Sequence, residues 1–277
     1  MKVKEIIKGI IEKCEMEPLA ETCDQVIEGS LEMEVKGIVT TFMATVEVIE
    51  KAHELGANFI ITHEPTYFTG NDRRDWLLED SVYLEKRELL KRYDMTVWRF
   101  HDHMHLASAD GIYEGMIREF GWENYRMEPK ETQGTGILKY SNLCYQLPET
   151  TVGKLADELK EKLHMPVMRI VGDPETVVRR AGLLVGGGSL GLGDEAMPMK
   201  LMEDEQLDVI ICGDITEWTL CSYVRDAAML GKNRALIIPG HNRTEEAGMK
   251  YLPEWLRPIT KELEVVFVEA GEPFVYR

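Results

Sequence analysis

Three short apolar runs in this sequence end directly in histidine and carboxylate residues, and helical segments flank each run. A short apolar run in that setting is typical of a buried strand. Open α/β sheets bind their ligands beyond the carboxyl ends of the strands. Imidazole and carboxylate groups gathered at such ends therefore predict a metal site. The three clusters are His63-Glu64, His101-Asp102-His103-Met104-His105 and His241-Asn242-Arg243-Thr244-Glu245.

Strand-like and helix-like segments alternate along the chain, which predicts an α/β fold of layered sheets and helices. The polar stretch from Trp122 to Gly136 is typical of a linker or long loop. The predicted helices cover Val3–Cys14, Val46–Leu55 (N-cap Thr45), Leu77–Tyr93, Gly111–Phe120, Val152–Leu163, Glu217–Leu230 and a segment from Glu245. The predicted strands cover Gly37–Phe42, Asn58–Thr62, Met95–Phe100, Leu143–Leu147, Val167–Val171, Val177–Val185, Val209–Cys212, Ala235–Pro239 and Val265–Val268.

The charge balance argues against two classes of partner. The chain has 49 acidic and 32 basic residues and a formal net charge of −17. Nucleic acids and anionic membrane surfaces attract basic patches, so neither is an expected partner. The five cysteines are scattered without a CxxC pair, which favours a reducing, cytoplasmic compartment over a disulfide framework. Neither a signal peptide nor a membrane-spanning segment is expected, because the N-terminal residues lack an uninterrupted apolar stretch and the sequence has no run of about 18 apolar residues.

Other motifs allow alternative interpretations. The segment Gly186–Gly191 formally matches GxGxxG after an apolar strand, with Asp214 after the next strand, and so offers a dinucleotide site as an alternative. Because glycine and proline interrupt the helix that should follow, a glycine-rich wall beside the metals is the favoured interpretation. Ser189, Cys212 and Cys221 lack the sequence context of a catalytic nucleophile. His53 and His164 are expected to be ordinary helix residues.

Two blocks of the sequence resemble a known family. The segment EKAHELGANFIITHEPTYF (Glu50–Phe68) is similar to a block in which an apolar strand ends in His-His-Pro. The segment Cys212–Gly248 is similar to a block with a Gly-Glu turn, a helix, a strand and Gly-His-x-x-x-Glu. The family is the Nif-three-like dinuclear-metal-centre hexameric proteins, also called GTP cyclohydrolase 1 type 2 homologues. The resemblance implies two interlinked α/β domains and a ring-shaped homo-hexamer. We place the metal-site domain at residues 1–125 plus 205–277 and the inserted domain at residues 126–204.

The resemblance also implies a set of metal ligands, with two departures from the family pattern. Glu64 stands where the family has a second histidine, and His105 stands where it has an aspartate. We interpret these departures as a compensated exchange that keeps the number of carboxylates constant; the alternative is that Asp102 or His103 replaces one ligand. Asp214 and Glu217 are candidates for an outer-shell carboxylate or general base. The predicted metal ligands are His63, Glu64, His101, His105, His241 and Glu245.

These residues predict a protein that binds two divalent metal ions, of Zn, Mn, Fe or Co. The expected function is hydrolysis of a small-molecule substrate by a metal-bound hydroxide. The cyclohydrolase activity implied by the resemblance requires attack on a purine ring carbon, although no residue here identifies a purine pocket. The competing interpretation is a non-catalytic metal-binding scaffold or regulatory ring protein.

Overall fold

The computed structural model describes residues 1–128 and 142–277. These residues form two compact units, of which the first comprises Met1–Ile112 with Gly248–Val275 and the second comprises Tyr113–Ala247 with Tyr276–Arg277. Each unit contains one five-stranded sheet with helices. The predicted α/β fold is therefore confirmed. No helix within the described ranges is both long enough and apolar enough to cross a membrane.

The helices and strands are numbered in chain order. The helices are α1 (Val3–Lys13), α2 (Val46–Glu54), α3 (Ser81–Arg92), α4 (Asp102–Leu106), α5 (Gly111–Phe120), α6 (Val152–Lys162), α7 (Met197–Asp204), α8 (Ser222–Met229) and α9 (His241–Thr260). The strands are β1 (Val26–Glu28), β2 (Ile38–Thr41), β3 (Phe59–Thr62), β4 (Thr96–Arg99), β5 (Cys144–Thr151), β6 (Arg169–Val171), β7 (Val177–Leu184), β8 (Val209–Cys212), β9 (Ala235–Ile238) and β10 (Val265–Phe267).

The first sheet has a parallel centre, in the order β1-β4-β3-β2-β10. In this sheet only β1 runs antiparallel to its neighbour. The ends of β3 and β4 lie side by side, since Thr62 pairs with Arg99. Strands β2, β3 and β4 are buried along their whole length. Burial on both faces explains their continuous apolar runs. Burying one such Ile or Val side chain contributes about 1.5–3 kcal/mol.

The second sheet also has a parallel centre, in the order β5-β7-β8-β9-β6. Strands β7, β8 and β9 are parallel, while the edge strands β5 and β6 are antiparallel to their neighbours. The carboxyl ends of the three central strands therefore lie side by side. Asp214, two residues after β8, is positioned between the segments that follow β7 and β9.

Strand pairing groups the chain differently from the predicted domains. The prediction joined residues 205–277 to residues 1–125 and set residues 126–204 apart. In the structure β8 and β9 pair inside the second sheet, so residues 205–247 belong to the second unit. The sequence shows where strands occur but not which strands pair, and consecutive strands need not be neighbours in a sheet.

Local sequence explains most of the element boundaries. The Thr45 side chain accepts a hydrogen bond from the backbone N–H of Val48, as predicted for an N-cap. Helix α9 begins at His241 rather than at the predicted Glu245. The short helix α4 was not predicted, because five residues are too few for a clear period. The predicted linker from Trp122 to Gly136 lies partly outside the described residues.

Candidate metal-binding sites

Three histidines of the first unit come together at the carboxyl ends of β3 and β4. His63 directly follows β3, and His101 follows β4 after one residue. His105 lies four residues further on, which places it on the same side of α4 as His101. The centroid of the His63 ring lies 4.5 Å from that of His101 and 5.0 Å from that of His105. The centroids of His101 and His105 are 4.9 Å apart. Their nitrogens could hold one ion.

His63 is fully buried, and its environment keeps it neutral. Its Nδ1 lies 3.2 Å from the carbonyl oxygen of Phe100. Because a carbonyl oxygen can only accept, Nδ1 carries the proton and Nε2 carries the lone pair. Burial, which penalises the charged form, holds the pKa of His63 well below its ordinary value, and the His101 and His105 rings act in the same direction. A neutral imidazole is the form that binds a metal.

Carboxylates orient the other two histidines of this cluster. His105 Nδ1 lies 2.9 Å from Asp110 Oδ2, and both side chains are buried. His101 Nδ1 lies 2.8 Å from Asp102 Oδ1. A carboxylate on Nδ1 fixes the ring and raises the basicity of Nε2, which is the usual arrangement around metal-binding histidines.

Glu64 forms a buried ion pair with Arg99. Its Oε2 accepts a hydrogen bond of 2.9 Å from Arg99, and its Oε1 is 3.8 Å from His101 Nε2. Arg99 also donates to the backbone oxygen of His63. The Glu64 carboxylate therefore faces the histidine cluster with one oxygen and a guanidinium with the other. Metal binding by Glu64 stays a prediction.

The alternative ligands Asp102 and His103 have other partners. His103 Nδ1 lies 2.7 Å from Asp24 Oδ2, and its Nε2 accepts the backbone N–H of Leu19 at 3.3 Å. Both ring nitrogens of His103 therefore contact the segment that contains Leu19 and Asp24. Asp102 binds the Nδ1 of His101, so it positions a candidate ligand.

In the second unit, His241 and Glu245 lie one turn apart at the start of α9. His241 Nε2 lies 3.0 Å from Glu245 Oε2, and its Nδ1 lies 2.8 Å from Asp214 Oδ2. Glu245 is nearly buried, whereas Asp214 is 44% exposed. Asp214 therefore orients His241 in the way that Asp110 orients His105.

Gly186 lies against this second donor set. A Cβ at this position would overlap Glu245 Oε1 and would lie 2.8 Å from His241 Nε2. Its φ of +48° also favours glycine. The backbone N–H of Gly186 donates to Thr244 Oγ1 at 3.0 Å. Of the two interpretations of the glycine run, a dinucleotide site and a glycine-rich wall beside the metals, this geometry fits the glycine-rich wall.

The dinucleotide alternative lacks the helix that it requires. The glycine run forms a 3-10 turn, Gly186–Leu190, and α7 begins only at Met197. A pyrophosphate-binding loop leads directly into a helix whose N-terminus faces the phosphates.

Glu217 lies apart from the contacts just described. It begins a π-helical turn, Glu217–Cys221, and its side chain is exposed. The two carboxylates described beside His241 are those of Asp214 and Glu245. The general-base role of Glu217 stays a prediction.

Sequence reasoning missed three residues that support the first histidine cluster, namely Asp24, Arg99 and Asp110. Asp110 had a usable signal, since an aspartate before a glycine at the start of a helical pattern is a typical N-cap; its Oδ1 accepts the N–H of Ile112 at 3.0 Å. Asp24 and Arg99 had none. They act through contacts with residues distant in sequence.

The donor chemistry of both clusters fits a divalent metal. The first set offers three imidazoles, with the Glu64 carboxylate beside them, and the second offers one imidazole and one carboxylate. Imidazole nitrogen and carboxylate oxygen are the ligands that suit Zn, Mn, Fe and Co. Each set also has a carboxylate on the Nδ1 of at least one histidine. The residues that could hold an ion are therefore His63, His101 and His105 in the first unit and His241 with Glu245 in the second.

Curated relatives match the chain along most of its length. A protein from Clostridium perfringens is 26% identical over the full length of both chains, and one from Clostridium acetobutylicum is 27% identical over 88% of this chain and 85% of the relative. Both are named GTP cyclohydrolase 1 type 2 homolog.

Solved structures share the fold. Staphylococcus aureus protein SA1388 superimposes with a TM-score of 0.74 at 21% identity, covering 100% of this chain and 99% of the other. A Bacillus cereus protein related to NIF3 gives a TM-score of 0.72 at 18% identity with the same coverage. Reduced HcgD from Methanocaldococcus jannaschii gives 0.66 at 20% identity, over 96% and 97% of the two chains.

The family assignment rests on a match to a family profile. The profile of the family described as Duf34/NIF3 (NGG1p interacting factor 3) covers residues 1–273 of the 277. The resemblance noted in the sequence is thereby confirmed, and the chain belongs to the DUF34/NIF3 family.

Proposed function

We propose that this protein binds two divalent metal ions, one through each donor set, and uses them to hydrolyse a small-molecule substrate. The observation that carries the proposal is the orientation of the donor imidazoles. His63, His105 and His241 each have Nδ1 fixed by a carbonyl or carboxylate, and in such an arrangement Nε2 is the nitrogen that would bind a metal.

The residues of the second donor set suit a hydrolytic role. Bound divalent ions would supply Lewis acidity and lower the pKa of a water molecule. Asp214 holds His241 through Oδ2, and its partly exposed carboxylate can accept a proton from water or substrate. Glu217 is the second candidate for that proton transfer. The buried Glu245 is the carboxylate that would bind metal.

The names of the curated relatives guide the choice of substrate. Because the Clostridium relatives are called GTP cyclohydrolase 1 type 2 homologs, we propose a purine nucleotide as the first substrate to test. A screen with GTP, phosphoesters and amides, run with and without restored metal, tests this. Metal-dependent turnover of any of these supports a hydrolase; binding of metal without turnover favours the non-catalytic scaffold.

Metal content is the first expected result. Elemental analysis after reconstitution should give about two ions per chain, as in two-metal hydrolytic sites. His63→Ala and His241→Ala should each lose about one ion, because each removes a central ligand of a different donor set. The matched control is His53→Gln, since His53 is exposed and stacks on Tyr93 with centroids 3.9 Å apart.

Two outcomes would contradict this proposal. One is a metal content near zero in the reconstituted protein, and the other is unchanged content in the double variant of His63 and His241. Electron paramagnetic resonance of the manganese-loaded protein tests the sequence-based expectation of one dinuclear centre, because neighbouring Mn²⁺ ions couple magnetically. Uncoupled spectra would support two separate mononuclear sites.

We also propose that the chain forms a homo-hexamer, on the family resemblance alone. Multi-angle light scattering at micromolar concentration should give a mass about six times that of the 31.7 kDa chain. A stable monomer would remove this proposal without affecting the metal-binding proposal.

A further inference from the structure

Cys23 lies beside the histidine cluster and forms a second group of donors with two of its neighbours. The donor atoms of Cys23, His101 and Asp102 all lie within 4.8 Å of one another. Asp102 Oδ1 is at the centre, 3.4 Å from Cys23 Sγ and 2.8 Å from His101 Nδ1. All three residues are partly exposed, so an ion could reach them from solvent.

A network of hydrogen bonds fixes this group in place. Asp102 Oδ2 accepts from the backbone N–H of Cys23 and from Thr22 Oγ1, each at 2.9 Å. Asp24 Oδ1 accepts the backbone N–H groups of His101 and Asp102 at 2.7 and 2.8 Å. These bonds tie the segment before β1 to the start of α4. The other oxygen of Asp102 therefore keeps its orientation towards Cys23 and His101.

We propose that Cys23 Sγ, His101 Nδ1 and Asp102 Oδ1 bind a thiophilic divalent ion such as Zn²⁺, Co²⁺ or Cd²⁺. Thiolate, imidazole and carboxylate are all ligands that zinc accepts, and water can complete the tetrahedron. Binding breaks the S–H bond of Cys23 and the N–H bond of His101 Nδ1, and both protons pass to solvent.

Two carboxylates lie beside the Cys23 sulfur. Its Sγ lies 3.4 Å from Asp102 Oδ1 and 4.0 Å from Asp24 Oδ1. A divalent ion bound here would offset the negative charge of these carboxylates.

This site shares only His101 with the His63 cluster, through a different nitrogen. Nδ1 faces Asp102, whereas Nε2 lies 3.8 Å from Glu64 Oε1. Loss of His101 should therefore weaken both sites, while loss of Cys23 should weaken only the thiolate site. This difference separates the inference from the proposed function.

The test is a Co²⁺ titration of the full chain after loading with Mn²⁺, which has little affinity for thiolate. The near-ultraviolet thiolate-to-cobalt charge-transfer band should appear and saturate with one ion. Cys23→Ser should remove the band, and Asp102→Asn should weaken Co²⁺ binding at least tenfold. Cys221→Ser is the matched control, because Cys221 is a partly exposed thiol in the other unit; it should keep the band.

Several results would overturn the inference. They are a band that persists in Cys23→Ser, a band lost in Cys221→Ser, and no band in the unchanged protein. In each case Mn²⁺ binding that depends on His63 would leave the proposed function standing. Near-ultraviolet circular dichroism confirms that each variant is folded, and Cys23→Ala provides a second substitution at the same position.

Discussion

Replacing Gly186 with alanine is expected to lower metal affinity at His241 and Glu245 by about 100-fold or more. The new Cβ would overlap Glu245 Oε1 and lie close to His241 Nε2, so both side chains must leave their positions. The φ of +48° adds strain of about 1–2 kcal/mol for a residue with a Cβ. Isothermal titration with Mn²⁺ or Zn²⁺ measures the loss.

Two neighbouring glycines provide matched controls for this variant. Gly187→Ala places a Cβ where no atom lies within 4 Å, and it should bind metal normally. Gly193 has a φ of +101° and equally open surroundings, so Gly193→Ala tests backbone strain without overlap. Normal binding by Gly186→Ala, or an equal loss in Gly187→Ala, would show that the close approach of Gly186 has no role in the site.

Replacing Glu64 with glutamine is expected to lower the free energy of unfolding of the metal-free protein by about 3 kcal/mol. Arg99 is buried, and Glu64 accepts its hydrogen bond at 2.9 Å. The variant leaves a buried guanidinium without its closest carboxylate, since Asp72 Oδ2 is 4.0 Å away. Urea denaturation measures the change.

The control for this variant is a glutamate in an exposed ion pair. Glu54 accepts a hydrogen bond of 2.8 Å from Lys51, and the side chains are 64% and 54% exposed. Glu54→Gln should therefore change the free energy of unfolding by less than about 1 kcal/mol. Equal effects at the two positions would contradict a special role for the buried pair.

Other variants at Glu64 and His105 test the compensated exchange of these two residues. The exchange hypothesis predicts that the double variant Glu64→His, His105→Asp retains metal better than either single variant. The ion pair of Glu64 with Arg99 adds a second expectation. Because the double variant lacks the Glu64 carboxylate, it should remain destabilised when metal-free. Additive losses of metal would instead favour independent roles for the two residues.

The strands and the candidate ligands could be predicted from sequence because both leave local signals. The apolar runs at β3, β4 and β9 predicted buried strands, and the histidines after them predicted donor positions at strand ends. Strand pairing could not be predicted in the same way. The grouping of β8 and β9 with β7 depends on contacts between segments distant in sequence, and the residues themselves carry no mark of it.

The residues that orient the candidate metal ligands also could not be predicted from local sequence. Asp24 and Arg99 are ordinary charged residues in sequence. Their roles come from contacts with residues far away in the chain, since Asp24 lies 79 positions from His103 and Arg99 lies 35 positions from Glu64. The short helix α4 places His101 and His105 on one side, yet it is too short to predict. Local pattern therefore identifies candidate ligands, whereas the residues that orient them require the fold.

The bonds to the Nδ1 atoms of His63, His105 and His241 have a consequence for how metal is acquired. The rings are held by Phe100, Asp110 and Asp214, all of which belong to the protein. If the protein binds metal as proposed, the donors would keep their positions when an ion leaves, and exchange of one ion for another would require no refolding. The metal bound would then reflect the supply of ions in the surroundings as much as the selectivity of the ligands.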